Sequence, residues 1–182
     1  MTSAMPENDA LGLVIKAIDF AADKHRSQRR KDAEASPYIN HPIALANILW
    51  HEAGIRDPIT IAAAILHDTV EDTETTRAEL EAEFGAEIAS VVAEVTDDKS
   101  LPKQERKRLQ VERAAHKSPR AQRVKIADKI SNLRDVANRP PESWTLERRR
   151  EYFDWAKAVV DAMRGPHADL ERIFDEVYSA RP

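Results

Sequence analysis

With 182 residues, 42% of them hydrophobic, the chain is long enough for one domain with its own core. It contains no cysteine, which excludes disulfides and thiolate metal sites and restricts any transition-metal site to histidine and carboxylate donors. The formal net charge of −4 argues against a general nucleic-acid binder, and no apolar stretch approaches the ~20 residues of a membrane span.

Residues 1–8 read as a short polar tail, without the basic start and apolar run of a signal peptide, so a cytoplasmic location is expected. Abundant Ala, Leu, Glu, Lys and Arg favour helix. Leu11, Val14, Ile15, Ile18 and Ala21 recur at helical spacing and predict a first helix over 9–26. A basic loop from Ser27 to Tyr38 follows, and a second helix is expected from near Pro42 to near Gly54. Asp57-Pro58 is a cap followed by proline at the first helical position. The helix it opens is apolar almost all round to His67, as a central buried helix should be, and is expected to run on through Asp72.

Thr76 with Glu79 forms a capping-box start for a helix expected to pass Gly85 and end near Thr96. Pro102 and Ser118-Pro119 open two more, the second with Val124, Ala127, Ile130 and Leu133 as its buried stripe. Trp144-Thr145 precedes a helix to near Met163, and Gly165-Pro166 divides it from a last one. No strand pattern, repeat or linker interrupts the series. The expected fold is all-α: a compact single-domain bundle of about eight to ten helices over residues 9–182.

Charge is segregated along the chain. From His67 to Asp98 there are eleven Asp/Glu and one Lys/Arg; from Lys99 to Lys125 there are ten Lys/Arg and two Glu. An acidic segment beside a basic one suits a metal site facing a polyanionic substrate, although two solvated helix faces are the commoner meaning of such runs.

His67-Asp68 places two strong ligand types at the polar end of an apolar helix. A lone histidine there is usually a satisfied core residue. The adjacent carboxylate weakens that explanation, because buried it needs a partner or a cation. Glu71 lies four residues after His67, and Asp72 four after Asp68, so four acid or imidazole groups crowd two turns. Without a cation the cluster is repulsive. Asp128 lies beside an apolar stripe and must pair or bind metal; Lys125, three residues before it, offers a salt bridge, and spacing alone does not separate the two. His41, just ahead of a helix, is by itself as readily a cap as a ligand.

Together, His41, His67-Asp68 and Asp128 match the H…HD…D order of the HD superfamily. The flanking residues are more specific: Tyr38-Ile-Asn-His-Pro, Leu66-His-Asp-Thr-Val-Glu-Asp-Thr and Val124-Lys-Ile-Ala-Asp-Lys-Ile-Ser-Asn-Leu-Arg, with the basic loop His25-Arg-Ser-Gln-Arg-Arg-Lys-Asp. These resemble the hydrolase domain of the RelA/SpoT alarmone enzymes over residues 10–180. A single-domain form, without the synthetase and regulatory domains of the long forms, is therefore expected. Val95-Thr-Asp-Asp-Lys and the Leu101–Gln110 stretch resemble the single-domain small alarmone hydrolases of the Mesh1 type.

The resemblance implies an HD-type bundle that hydrolyses the 3′-pyrophosphate of guanosine tetra- and pentaphosphate, (p)ppGpp, to GDP or GTP and pyrophosphate. It implies one divalent ion, Mn²⁺, held by His41, His67, Asp68 and Asp128. Glu71 and Asp72 would orient water and move protons, with the division between them open. Arg30, Lys31, Tyr38, Asn132 and Tyr152 match substrate-side positions, although Tyr38 and Tyr152 could equally be packed aromatics. The expected partner is this nucleotide, with no nucleic acid and no membrane. Two alternatives remain: a phosphatase for another ribose-phosphorylated nucleotide such as NADPH, or a catalytically silent alarmone-binding module. The intact acidic cluster argues against the second.

Overall fold

Residues 7–182 are described by a computed structural model, in which ten α-helices and one π-helical turn follow one another. Positions 1–6 of the expected tail lie outside the described residues, and helix α1 already begins inside it, spanning Glu7–Lys24. Next come α2 (Asn40–Asn47), the π turn Ile48–Glu52 and α3 (Pro58–Leu66). The short α4 spans Thr69–Asp72, followed by α5 (Arg77–Phe84) and α6 (Ala86–Val95). Helices α7 (Lys103–Ala114), α8 (Pro119–Asn138), α9 (Leu146–Asp161) and α10 (Ala168–Tyr178) complete the chain.

Two helices carry the centre. α3 is buried from Thr60 to Leu66 and packs against α1, α2, α6 and α8. Its start is fixed by Asp57, whose carboxylate accepts the Ile59 amide, the Thr60 hydroxyl and the Arg120 guanidinium. α8 opens with the Ser118 hydroxyl accepting the Ala121 amide and is buried without a break from Val124 to Leu133 except at Asn132. The predicted stripe of Val124, Ala127, Ile130 and Leu133 is fully buried, and so is Ile126.

The structure departs from expectation in four places. The helix expected to run through His67-Asp68 stops at Leu66, and a two-residue turn leads to α4. The Thr69 hydroxyl donates to Leu66 O at 2.7 Å, and Asp68 sits at φ −98°, ψ −3°, so a side chain takes over part of the backbone ladder. Gly85, at φ 84° and ψ 161°, divides α5 from α6; only glycine holds that conformation cheaply. The capping box is half formed: Thr76 accepts the Glu79 amide, but the Glu79 carboxylate pairs with Lys24. The loop after α1 is pinned by one isolated antiparallel bridge between Arg29 and Pro37, and it is the only strand-like pairing among the described residues. No helix among them is long and apolar enough to cross a membrane.

Candidate metal centre and its cleft

Three elements converge at the residues expected to hold a metal. His41 enters from the first turn of α2, and its Nδ1 lies 3.1 Å from Ser131 Oγ on α8. His67 follows the last residue of α3 and donates from Nδ1 to Ala64 O at 2.8 Å. That bond leaves Nε2 of the neutral ring as a lone pair, and this buried nitrogen has no hydrogen-bond partner. Asp128 comes from the middle of α8; its Oδ1 lies 3.2 Å from His41 Nε2 and 3.9 Å from His67 Nε2. His41, His67 and Asp128 bring one donor atom each within 4.8 Å of one another, and this group can hold a metal ion.

Asp68 stands at the edge of this group. Its Oδ2 is 2.9 Å from His67 Nε2 and 4.0 Å from His41 Nε2, and it accepts the Tyr38 hydroxyl at 2.5 Å. A lone pair facing a carboxylate oxygen at 2.9 Å is stable only with a positive charge between or beside them. The set therefore fits a divalent cation: two imidazoles, carboxylates, and an orphaned buried nitrogen.

The electrostatics agree. Burial lowers His67, but the charges of Asp68 and Asp128 outweigh it and raise the imidazole to about 9. Burial pushes Asp68 and Asp128 up, yet their neighbours win: His67 and His41 hold Asp68 below the usual carboxylate range, and Lys129 with both histidines does the same for Asp128. Burial also keeps His41 below the ordinary histidine value.

The salt bridge from Lys125 to Asp128 does not form. Lys125 Nζ donates instead to Val95 O at 3.1 Å, and Lys129 approaches Asp128 Oδ2 at 3.0 Å. Lys129 is buried and lies 4.2 Å from the centre of the Trp155 ring, a cation–π contact. Helical spacing did not suggest that Lys129 would meet Asp128 or that Trp155 would cover it. Ser131 and Asp135, three and seven residues after Asp128, are additions to the predicted site; their positions on the same face of α8 carried the signal.

The predicted acidic pair lines a cleft of about 970 Å³. Glu71 is half-buried, its Oε2 accepts the Asp97 amide at 2.9 Å, and burial raises its pKa. Asp72 pairs with Lys99 through Oδ1, and its Oδ2 lies 3.4 Å from the Tyr38 hydroxyl. Arg30, Lys31, Tyr38, Asn132 and Tyr152 line the same cleft. Arg30 is not free: it donates to Asn132 Oδ1 at 3.1 Å and Asp135 Oδ2 at 2.5 Å. Asn132 passes the link on, its amide donating to Asp128 Oδ1 at 2.6 Å. Lys31 is exposed. Tyr152 is half-buried against the core between Trp144 and Trp155 and also lines the cleft. Lys103, Lys107 and Arg148 add positive charge to the cleft lining.

Comparison with known proteins agrees with this layout. Residues 17–154 match the HD domain family. A human protein named guanosine-3′,5′-bis(diphosphate) 3′-pyrophosphohydrolase MESH1 is 56% identical over 168 residues, covering 92% of this chain and 94% of its own. The Drosophila melanogaster protein of the same name is 52% identical over 167 residues, covering 92% and 93%. A solved structure, described as a metazoan ortholog of SpoT that hydrolyzes ppGpp and plays a role in starvation responses, superposes with a TM-score of 0.91 at 49% identity over 98% of both chains. The chain belongs to the HD domain family and, within it, to the group of the MESH1 proteins.

Proposed function

We propose that this protein is a metal-dependent guanosine-3′,5′-bis(diphosphate) 3′-pyrophosphohydrolase that converts (p)ppGpp and water to GDP or GTP and pyrophosphate. The observation that carries the reading is the meeting, beside one cleft, of the His41–His67–Asp128 donor group, the half-buried Glu71 and the cationic side chains of the cleft lining. The names borne by relatives more than half identical over nine-tenths of the chain supply the substrate.

His41, His67, Asp68 and Asp128 would hold one divalent ion, with Mn²⁺ the expected metal. When bound, such an ion lowers the pKa of coordinated water and polarises a phosphoryl oxygen. The chain's own groups then divide the work. Water adds to the phosphorus attached to the ribose 3′-oxygen, the bond from that phosphorus to the oxygen breaks, and the oxygen takes up a proton. Glu71 suits the proton transfer, because burial raises its pKa and the Asp97 amide fixes one of its oxygens. Asp72, tied to Lys99 and near Tyr38, orients rather than transfers. Tyr38 holds Asp68 from outside the donor group. Arg30 and Asn132 form a polar wall running back to Asp128, and Lys31 supplies an exposed charge for the incoming phosphates.

The test is metal add-back. Protein stripped with a chelator should leave ppGpp intact and, on addition of Mn²⁺, release pyrophosphate and GDP. With NADPH as a parallel substrate, phosphate release from NADPH alone would move the reading to another ribose-phosphorylated nucleotide. Binding of ppGpp without turnover of either would leave a silent binding module.

A further inference from the structure

A lysine 7% exposed in the middle of a helical core needs a reason. Lys125 lies on α8 one turn ahead of Asp128. Its Nζ donates to the carbonyl of Val95, the last residue of α6. Carbonyls at a helix C-terminus lack intrahelical partners, and a cation there also complements the helix dipole. Two residues further on, the Asp97 amide donates to Glu71 Oε2 at 2.9 Å. Among the described residues no other hydrogen bond reaches the Glu71 carboxylate. Asp97 is steadied from the opposite side, where Gln110 Nε2 donates to its Oδ2 at 2.5 Å. A buried cation thus clamps one end of a three-residue segment whose other end holds the acidic group at the cleft.

The surroundings support a charged clamp. Burial lowers the Lys125 pKa and the Lys129 charge lowers it further, while Asp128, Asp97 and Glu71 act as its counter-charges. Helix anchoring alone does not require it, because Lys117 already donates to the preceding carbonyl, that of Glu94.

We propose that Lys125 is a positioning residue for hydrolysis, which fixes the Val95 carbonyl and thereby the Asp97 amide that aims Glu71. The proposal rests on Glu71 as the proton-transferring group. It is specific to one step: the clamp's hydrogen bonds run to Val95 O, Glu71 and Asp97 and to none of the metal donors, so it should act on turnover rather than on metal or substrate binding.

The experiment compares Lys125→Met, Lys125→Arg, Glu71→Gln and the Lys125→Met/Glu71→Gln double variant in the Mn²⁺-loaded protein. Lys125→Met keeps the volume and removes a buried charge, so the fold should survive. The expected result is a kcat for ppGpp lowered roughly tenfold or more, with KM and bound Mn²⁺ unchanged. Arginine should restore most of the loss, and Lys125→Met should cost nothing further in the Glu71→Gln background. Independently of activity, exchange of the Asp97 amide with solvent should accelerate in Lys125→Met while that of Ser131 does not. Unchanged kcat, unchanged Asp97 exchange, an effect confined to KM, or the same fractional loss in the Glu71→Gln background would each overturn the proposal. Full activity of Glu71→Gln overturns the role of Glu71 and that of Lys125 with it. Full activity of Lys125→Met beside a crippled Glu71→Gln overturns Lys125 alone.

Discussion

His67 Nε2 and Asp68 Oδ2 stand 2.9 Å apart, and the histidine's one well-placed hydrogen bond is made on its other side, to Ala64 O. Neighbouring residues meet this closely because the chain turns at His67-Asp68 instead of continuing as helix. Two acceptors are thereby held face to face and await a proton or a cation.

That arrangement makes the metal-free protein sensitive to alkali. The His67 pKa is raised from its ordinary 6.5 to about 9, so the imidazolium contributes stability that is fully present below pH 6.5 and is lost as pH rises through 9. The amount is of order 3 kcal/mol. His41 shifts the other way, and its effect falls below pH 6.5, outside this window. Urea melts of chelator-treated protein should show the decline between pH 6.5 and 9, and His67→Gln should abolish that slope. An equally steep decline in His67→Gln would assign it to another group.

Glu71→Gln should retain the metal and lower kcat by about 10²–10⁴-fold, the usual range for a proton-transfer group. Metal content by elemental analysis and turnover of ppGpp separate the two effects. Normal turnover would remove Glu71 from the reaction.

Tyr38→Phe deletes the hydroxyl that Asp68 Oδ2 accepts. Loss of such an outer partner typically weakens metal affinity about 10–100-fold. Mn²⁺ titration should detect it, with ppGpp turnover recovering at saturating metal. Unchanged affinity would place Asp68 outside the donor set.

Arg30→Ala should damage turnover more than Lys31→Ala. Arg30 is half-buried and joined to Asn132 and Asp135, so its loss loosens the wall leading to Asp128. Lys31 is exposed, and its loss should raise KM in a manner that added salt mimics. Equal effects on kcat would deny Arg30 a structural part in the wall.

Gly85→Ala tests the break between α5 and α6. A Cβ there meets nothing within 4 Å, so the cost is that of the backbone conformation alone, about 1–3 kcal/mol. The denaturation midpoint should fall while metal binding is kept. No change would mean that the segment relaxes into one continuous helix.

Much of the fold was legible because it rests on local signals. Asp57-Pro58 and Ser118-Pro119 start α3 and α8 as their caps require, and the Val124–Leu133 stripe is buried. The breaks were not legible, since they depend on particular side-chain choices. The Thr69 hydroxyl competes with the ladder after Leu66, and Gly85 takes a positive φ that an isolated glycine does not announce. In the site, the grouping of His41, His67 and Asp128 was implied by the resemblance to the HD superfamily, but partners across helices were not. Lys125 chose the Val95 carbonyl over Asp128, and Lys129 reached Asp128 beneath Trp155. Such choices depend on which helices face one another, and helical spacing along one segment does not encode that.

Hydrolysis of ppGpp in ¹⁸O-labelled water by the Mn²⁺-loaded protein, with products separated by mass, tests the central claim most directly. The account predicts one labelled oxygen in pyrophosphate, unlabelled GDP, and no reaction after chelation. Label in the nucleoside product, release of inorganic phosphate in place of pyrophosphate, or turnover that persists without metal would contradict it.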